Sequence, residues 1–147
     1  MREALALART TPDGDVPVGA LVYGPGEKVL GRGVNRRNQR ADPTAHAEVE
    51  AIRDAAARLG TWRLDGCELV VTLEPCTMCA GAILGARVAS LVFGAYEPKT
   101  GAVGSLFDAI RDPHHLHQVE VLGGVCEAGS AALLGDFFAG RRSTGRR

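Results

Sequence analysis

The sequence predicts an α/β domain built on a mixed sheet of about five strands, with helices on both faces. Three observations lead there. Residues 18–23 and 28–34 are apolar runs flanking Gly24-Pro25-Gly26, the pattern of an antiparallel hairpin. An apolar strand over 67–73, a helix over 75–86 and a second apolar strand over 88–93 follow in close order. That succession is a βαβ unit, so its two strands should be parallel and joined by a right-handed crossover. Between hairpin and unit, Val49, Ile52, Ala56 and Leu59 recur at helical spacing.

Taken in order, residues 1–9 read as a short helix with Leu5 and Ala8 toward a core, starting abruptly enough to suggest a trimmed start. Pro12-Asp13-Gly14-Asp15 is a turn. Gly31 and Gly33 weaken the second hairpin strand and point to a bend or a close backbone approach. Asn35-Arg36-Arg37-Asn38-Gln39-Arg40 is a polar, basic loop. Asp42-Pro43-Thr44 then opens a helix, with Thr44 as its N-cap, Glu50 and Arg53 on the wet side and Gly60 at its end. After the βαβ unit come a Gly-containing loop over 97–104, a short helix over 105–110 and a break at Asp112-Pro113. A strand over 119–122 and a closing helix over 131–142, packed through Leu133, Leu134, Phe137 and Phe138, complete the chain. No repeat, low-complexity stretch or linker interrupts it, so residues 1–147 form one domain.

Composition narrows the function classes. Formal net charge is zero, so affinity for an anionic partner must come from a local basic face. Four cysteines, two of them in a Cys-x-x-Cys pair, do not make a disulfide framework, and a reducing cytoplasm is the expected setting. The apolar run over 4–8 is too short for a signal peptide, and nothing approaches a membrane span.

The chemistry concentrates in Val71-Thr72-Leu73-Glu74-Pro75-Cys76-Thr77-Met78-Cys79. Pro75 suits the first turn of a helix, and Cys76 and Cys79, three apart, share one helix face within reach of a single ion. The positive end of the helix dipole favours their thiolates. Alone, the pair leaves a redox couple, a structural zinc site and a catalytic zinc site open. Upstream, Thr44-Ala45-His46-Ala47-Glu48 adds His46 as a third ligand and Glu48 as a carboxylate beside the metal. Two thiolates and an imidazole favour Zn2+, and three protein ligands leave a tetrahedral position for water, the mark of a catalytic site. Cys67 is the alternative fourth ligand of a closed site, although its place at a strand start suits a buried apolar side chain better.

His-x-Glu followed by Pro-Cys-x-x-Cys is an established signature of zinc deaminases acting on nucleobases. With Val16-Pro17-Val18-Gly19-Ala20, Gly33-Val34-Asn35-Arg36, Lys99-Thr100-Gly101-Ala102 and Asp136-Phe137-Phe138, the chain resembles the bacterial tRNA-specific adenosine deaminases of the cytidine-deaminase-like superfamily. The resemblance runs nearly end to end, and the last two segments point to the tRNA-editing branch. It implies the three-layer fold of that superfamily, a homodimer, and hydrolysis of adenosine to inosine at the wobble position of the tRNA anticodon arm. Zinc-bound hydroxide would attack C6 and Glu48 would shuttle the protons. It also implies His46, Cys76 and Cys79 as zinc ligands and Asn35 and Ala47 as substrate contacts. Glu48 needs the resemblance, because residues two apart on a helix point about 200° apart.

Arg36, Arg37 and Arg40, beside Asn35, are expected to contact RNA, with a solvated loop as the alternative. Lys99, Phe138, Arg141 and Arg142 are further candidates for RNA contact, whereas the tail arginines as a group, Arg146 and Arg147 included, are balanced between RNA and solvent. His114, His115 and His117 suggest a second metal site, but no cysteine or carboxylate pattern accompanies them and a solvated loop is the reading. Departures from the family pattern are the short N-terminal helix, Glu97 where Asp is usual, and Arg111-Asp112-Pro113 where histidines are common. Two rivals remain: a deaminase of a free base or nucleoside such as guanine or cytosine, and a non-catalytic zinc-stabilised RNA-binding module.

Overall fold

A computed structural model describes residues 1–145, which leaves the tail residues Arg146 and Arg147 outside the described residues. In chain order the elements are α1 (Arg2–Ala8), β1 (Gly19–Tyr23), β2 (Val29–Val34), α2 (Arg37–Arg40), α3 (Ala47–Leu59), β3 (Glu68–Leu73), α4 (Thr77–Gly85), β4 (Ser90–Ala95), β5 (Glu120–Leu122) and α5 (Glu127–Thr144). The strands form one five-stranded sheet in the order β2-β1-β3-β4-β5. β1 pairs antiparallel with β2 and β3, whereas β3–β4 and β4–β5 are parallel. The mixed sheet, the hairpin and the βαβ unit all stand as expected.

Strand alternation sorts side chains between two helical layers. Ala20, Val22, Leu69, Val71, Leu91 and Phe93 share one cluster with α3 and α4 residues such as Ala51, Ala55 and Ile83. The intervening Leu21 and Val70 turn the other way and bury Ala4 of α1. On that second face α5 meets β4, where Gly94 lets Ser130 approach the sheet. Two helices cover each face, giving three layers.

Helix α3 lies against β2 at backbone distance. A methyl group at Gly31 would come within 2.7 Å of Ala55 N, and one at Gly33 within 2.5 Å of Ala51 N. This close approach explains why the expected stripe is displaced. The buried line of α3 is Ala47, Ala51 and Ala55 with Val49, while Ile52 and Ala56 are half-buried and Leu59 is 42% exposed. Small residues face the glycines because nothing larger fits, so the largest apolar side chains do not mark the packed face.

Other boundaries move for local reasons. Thr44 does not cap α3: its N–H and hydroxyl both donate to Asp42 Oδ1, forming a turn that ends before His46. His46 itself occupies the N-cap position. Pro75 precedes the cysteine helix, with Cys76 at its N-cap. The basic loop contains one helical turn, α2, closed by Ala41 at φ 49°. No helix forms over 105–110, where Val103 and Asp108 make an isolated bridge and the N–H groups of Val103 and Ser105 are taken by Glu74. The closing helix starts earlier than expected and packs less tightly, with Ser130 its buried residue and Phe138 47% exposed.

Gly31→Ala should therefore lower the unfolding free energy by about 1–3 kcal/mol. The check is a urea titration, which should show a lower midpoint at unchanged slope.

Candidate metal centre and substrate cavity

Two helix N-termini meet beyond the carboxyl end of β3. His46, at the N-cap of α3, has extended backbone angles (φ −77°, ψ 154°), as does Cys76 at the N-cap of α4 (φ −78°, ψ 177°). An N-cap side chain ordinarily bonds to the free N–H groups of its own helix. Neither His46 nor Cys76 does so, and each projects into the space between the helices. His46 Nδ1 lies 3.6 Å from Cys76 Sγ and 3.5 Å from Cys79 Sγ, and all three atoms fall within 4.8 Å of one another.

The N-cap position also resolves the difficulty with Glu48. The 200° separation holds only when both residues are helical, and His46 is not. Glu48, in the first turn of α3, is 4% exposed and shares the cavity lining with His46 and Cys76. Burial pushes its carboxyl pKa up, against the pull of Cys79 and His46.

The donor set fits a zinc ion. Without one, Cys76 is held down at about 3, first by the hydrogen bond from Cys79, with His46 adding to the effect against burial. Cys79 is pushed up by the same partner and by burial. Two thiols and an imidazole this close form a soft donor set that a zinc ion would draw together as two thiolates and a neutral imidazole. His46 Nδ1, Cys76 Sγ and Cys79 Sγ would be its ligands. Among the described residues no fourth His, Cys, Asp or Glu joins the group. Cys67 is buried at the foot of β3, where its thiol approaches Asp65 O at 3.8 Å.

A cavity of about 230 Å³ opens beside these ligands, with Asn35, Ala47, Arg37 and Phe138 in its lining. Asn35 donates through Nδ2 to Val16 O (3.1 Å) and accepts at Oδ1 from Arg37 N–H (3.2 Å). Those bonds fix its side chain and leave one amide N–H and one lone pair unused.

The other expected RNA contacts separate. Arg37 lines the cavity, but Arg40 pairs with Glu50 at 2.7 Å and Arg36 Nη1 donates to Gln39. Both face a different depression, shared with Arg32 and Arg53. Lys99 and Arg142 are exposed and outside the cavity lining. Arg141 is exposed but held, lying 5.0 Å over the Phe137 ring and donating to Gly14 O. Of the three histidines, His114 is solvated, but His115 reaches Ala109 O and His117 reaches Val88 O, each at 2.6 Å, pinning their loop to the body.

Glu74, Glu97 and Thr100 also line the cavity, and the sequence reading did not single them out as site residues. The available signal was Glu74 itself, a carboxylate closing an apolar strand where burial was foreseeable.

A three-donor soft metal site with a buried carboxyl beside it, at the strand ends of an α/β sheet, defines a hydrolytic metal centre of the deaminase class. Residues 1–95 match the family model described as the cytidine and deoxycytidylate deaminase zinc-binding region. The chain belongs to that family, in the branch of the tRNA-specific adenosine deaminases. It is 43% identical to the tRNA-specific adenosine deaminase of Bacillus subtilis, over 94% of this chain and 86% of that protein. A solved structure from work on A-to-I editing by tRNA:A34 deaminases is 42% identical, with a TM-score of 0.83 over 90% of this chain and 96% of that one. The chain is also 50% identical to part of a tRNA(Ile)-lysidine synthase of Deinococcus deserti, and it spans 26% of that protein's length.

Cys79→Ala should purify without its zinc, whereas Cys67→Ala should retain a full equivalent. Elemental analysis of the two purified variants separates a three-ligand centre from a closed one.

Proposed function

We propose that this chain hydrolyses adenosine to inosine at the wobble position of tRNA, acting in the cytoplasm as a homodimer on the anticodon arm. The observation that carries the reading is the buried Glu48 carboxyl, placed on the cavity wall beside the three metal donors. Family membership supplies the reaction type, and the similarity to tRNA-specific enzymes supplies the substrate.

The reaction needs water to add at C6, a proton to reach the ring, and ammonia to leave with a further proton. His46, Cys76 and Cys79 would hold the zinc ion, which when bound would supply the Lewis acidity that lowers the pKa of a water molecule to near neutrality. Glu48 performs the proton transfers: its carboxylate takes a proton from the attacking water and delivers it to the purine ring nitrogen, then takes the proton of the new C6 hydroxyl and delivers it to the amine, which leaves as ammonia as the C6 carbonyl forms. Burial suits it to the work, because a carboxyl pushed up from its ordinary range holds a proton more readily than a solvated one and can pass it on. Asn35 and Ala47 orient the nucleoside, and Phe138 offers an aromatic face at the mouth for a neighbouring base. The adenine must leave its stack to enter a cavity of this size.

Charge at the mouth is modest. Arg37 is the arginine that lines the cavity, while Glu97 contributes the opposite sign. Phosphate contacts are therefore assigned to Arg37 and to the exposed Lys99 and Arg142, with Arg36 and Arg40 at the neighbouring depression.

Incubation of the zinc-loaded chain with tRNA should yield inosine at the first anticodon position, with no turnover of free adenosine, guanine or cytosine. Release of ammonia from a free base and none from tRNA would move the assignment to a nucleobase deaminase. Glu48→Ala should keep its fold and zinc and lose turnover by roughly 10²–10⁴-fold; full activity in that variant would leave only a binding module. Raising salt should weaken tRNA binding steeply, and Arg37→Ala should reduce the log–log slope by about 1.

A further inference from the structure

A carboxylate with no cationic partner is buried in the cavity wall. Glu74 is 3% exposed, and none of the ion pairs among the described residues includes it. A lone buried carboxylate is costly unless hydrogen bonds replace its lost hydration. Here the replacement comes from one short segment. Glu74 accepts from the N–H groups of Glu97 (3.1 Å), Val103 (3.0 Å) and Ser105 (3.1 Å), and from the Ser105 hydroxyl. Gly101 completes the fit, since a methyl group there would strike the carboxylate. Alongside, Ala102 N–H donates to Pro75 O at 2.8 Å, tying the segment to the residue before Cys76. Glu97, the first of these anchors, and Thr100, which lies between it and the rest, are both in the cavity lining.

We propose that Glu74 is a positioning residue: through the 97–105 segment, its carboxylate holds in place the wall that Glu97 and Thr100 present to the nucleobase. The proposal deepens the functional reading above and rests on it for the identity of the substrate. The segment cannot swing away without stranding the carboxylate, so the wall is formed before substrate arrives. A preformed wall removes an ordering cost from binding. A loosened wall must be ordered in both the ground-state complex and the transition state, which raises KM and leaves kcat unchanged. This separates Glu74 from Glu48, whose loss removes the chemical step.

The test is Glu74→Gln in the full zinc-loaded chain. Glutamine keeps the size but turns an NH₂ group toward N–H donors. The amides of Glu97, Val103 and Ser105 should exchange with deuterium roughly tenfold faster, while those inside β3 keep their protection. Zinc content should be unchanged, and KM for an anticodon stem-loop RNA should rise roughly tenfold with kcat within about twofold. Unchanged exchange at the three amides overturns the proposal. So does a collapse of kcat or loss of zinc at unchanged KM, which would place Glu74 in service of the metal. If Glu74→Gln does not fold, Gly101→Ala and Ser105→Ala disturb the same contact from the other side. They should speed exchange at the same amides, and no effect in either is equally fatal. A wild-type chain that edits no RNA refutes the functional reading, while the three amides still decide whether Glu74 holds the segment.

Discussion

The site depends on two helices that begin at the same point in space. His46 and Cys76 each stand at an N-cap, and each gives up capping its own helix to face the other. The free N–H groups behind them aim partial positive charge at the gap, equivalent to roughly half an elementary charge per helix. That field favours thiolate at Cys76 and works against the burial that pushes Cys79 and Glu48 toward their neutral forms. The same geometry brings Glu48 beside His46 despite their spacing of two, because the chain turns from extended to helical between them.

Everything behind the helices fixes that meeting. β3 delivers Cys76 from the centre of the sheet, flanked by β1 and β4. α3 is set by its contact with β2, where glycines and alanines bring two backbones together and fix the depth of His46. α2 and the Asp42 turn close the path between β2 and α3, with Arg36 N–H donating to Ala45 O at 2.9 Å. Glu74 then ties the 97–105 segment to the end of β3. The cysteine pair and the cavity wall are thereby referred to a single strand terminus.

What the sequence disclosed follows the range of the forces involved. Alternation and turn chemistry are local, so the hairpin, the βαβ unit and the final short strand were legible. That His46, Cys76 and Cys79 would come together was legible because the residue types and their order match what a soft cation requires. The packed face of α3 was not, since a hydrophobic stripe is recognised by its largest residues and this contact needs the smallest. Residues 105–110 resemble a helix taken alone, but Glu74, some 30 residues upstream, claims both the amide and the hydroxyl of Ser105. Glu74 itself escaped notice because a glutamate beside a metal motif reads as polar surface until its four donors are seen to come from elsewhere in the chain.

The closing helix has a consequence of its own. α5 contributes Leu134 and Phe138 to the cavity, yet it buries little beyond Ser130 against the sheet. Cohesion is therefore unequal around the cavity: one side is lined by Leu73, Glu74 and Cys76 at the end of the central strand, whereas the side that α5 supplies belongs to a helix with one buried residue. Local opening in proteins follows the weakest packing. The α5 side of the cavity can thus breathe while His46, Cys76 and Cys79 keep their spacing, because those three side chains sit on other elements.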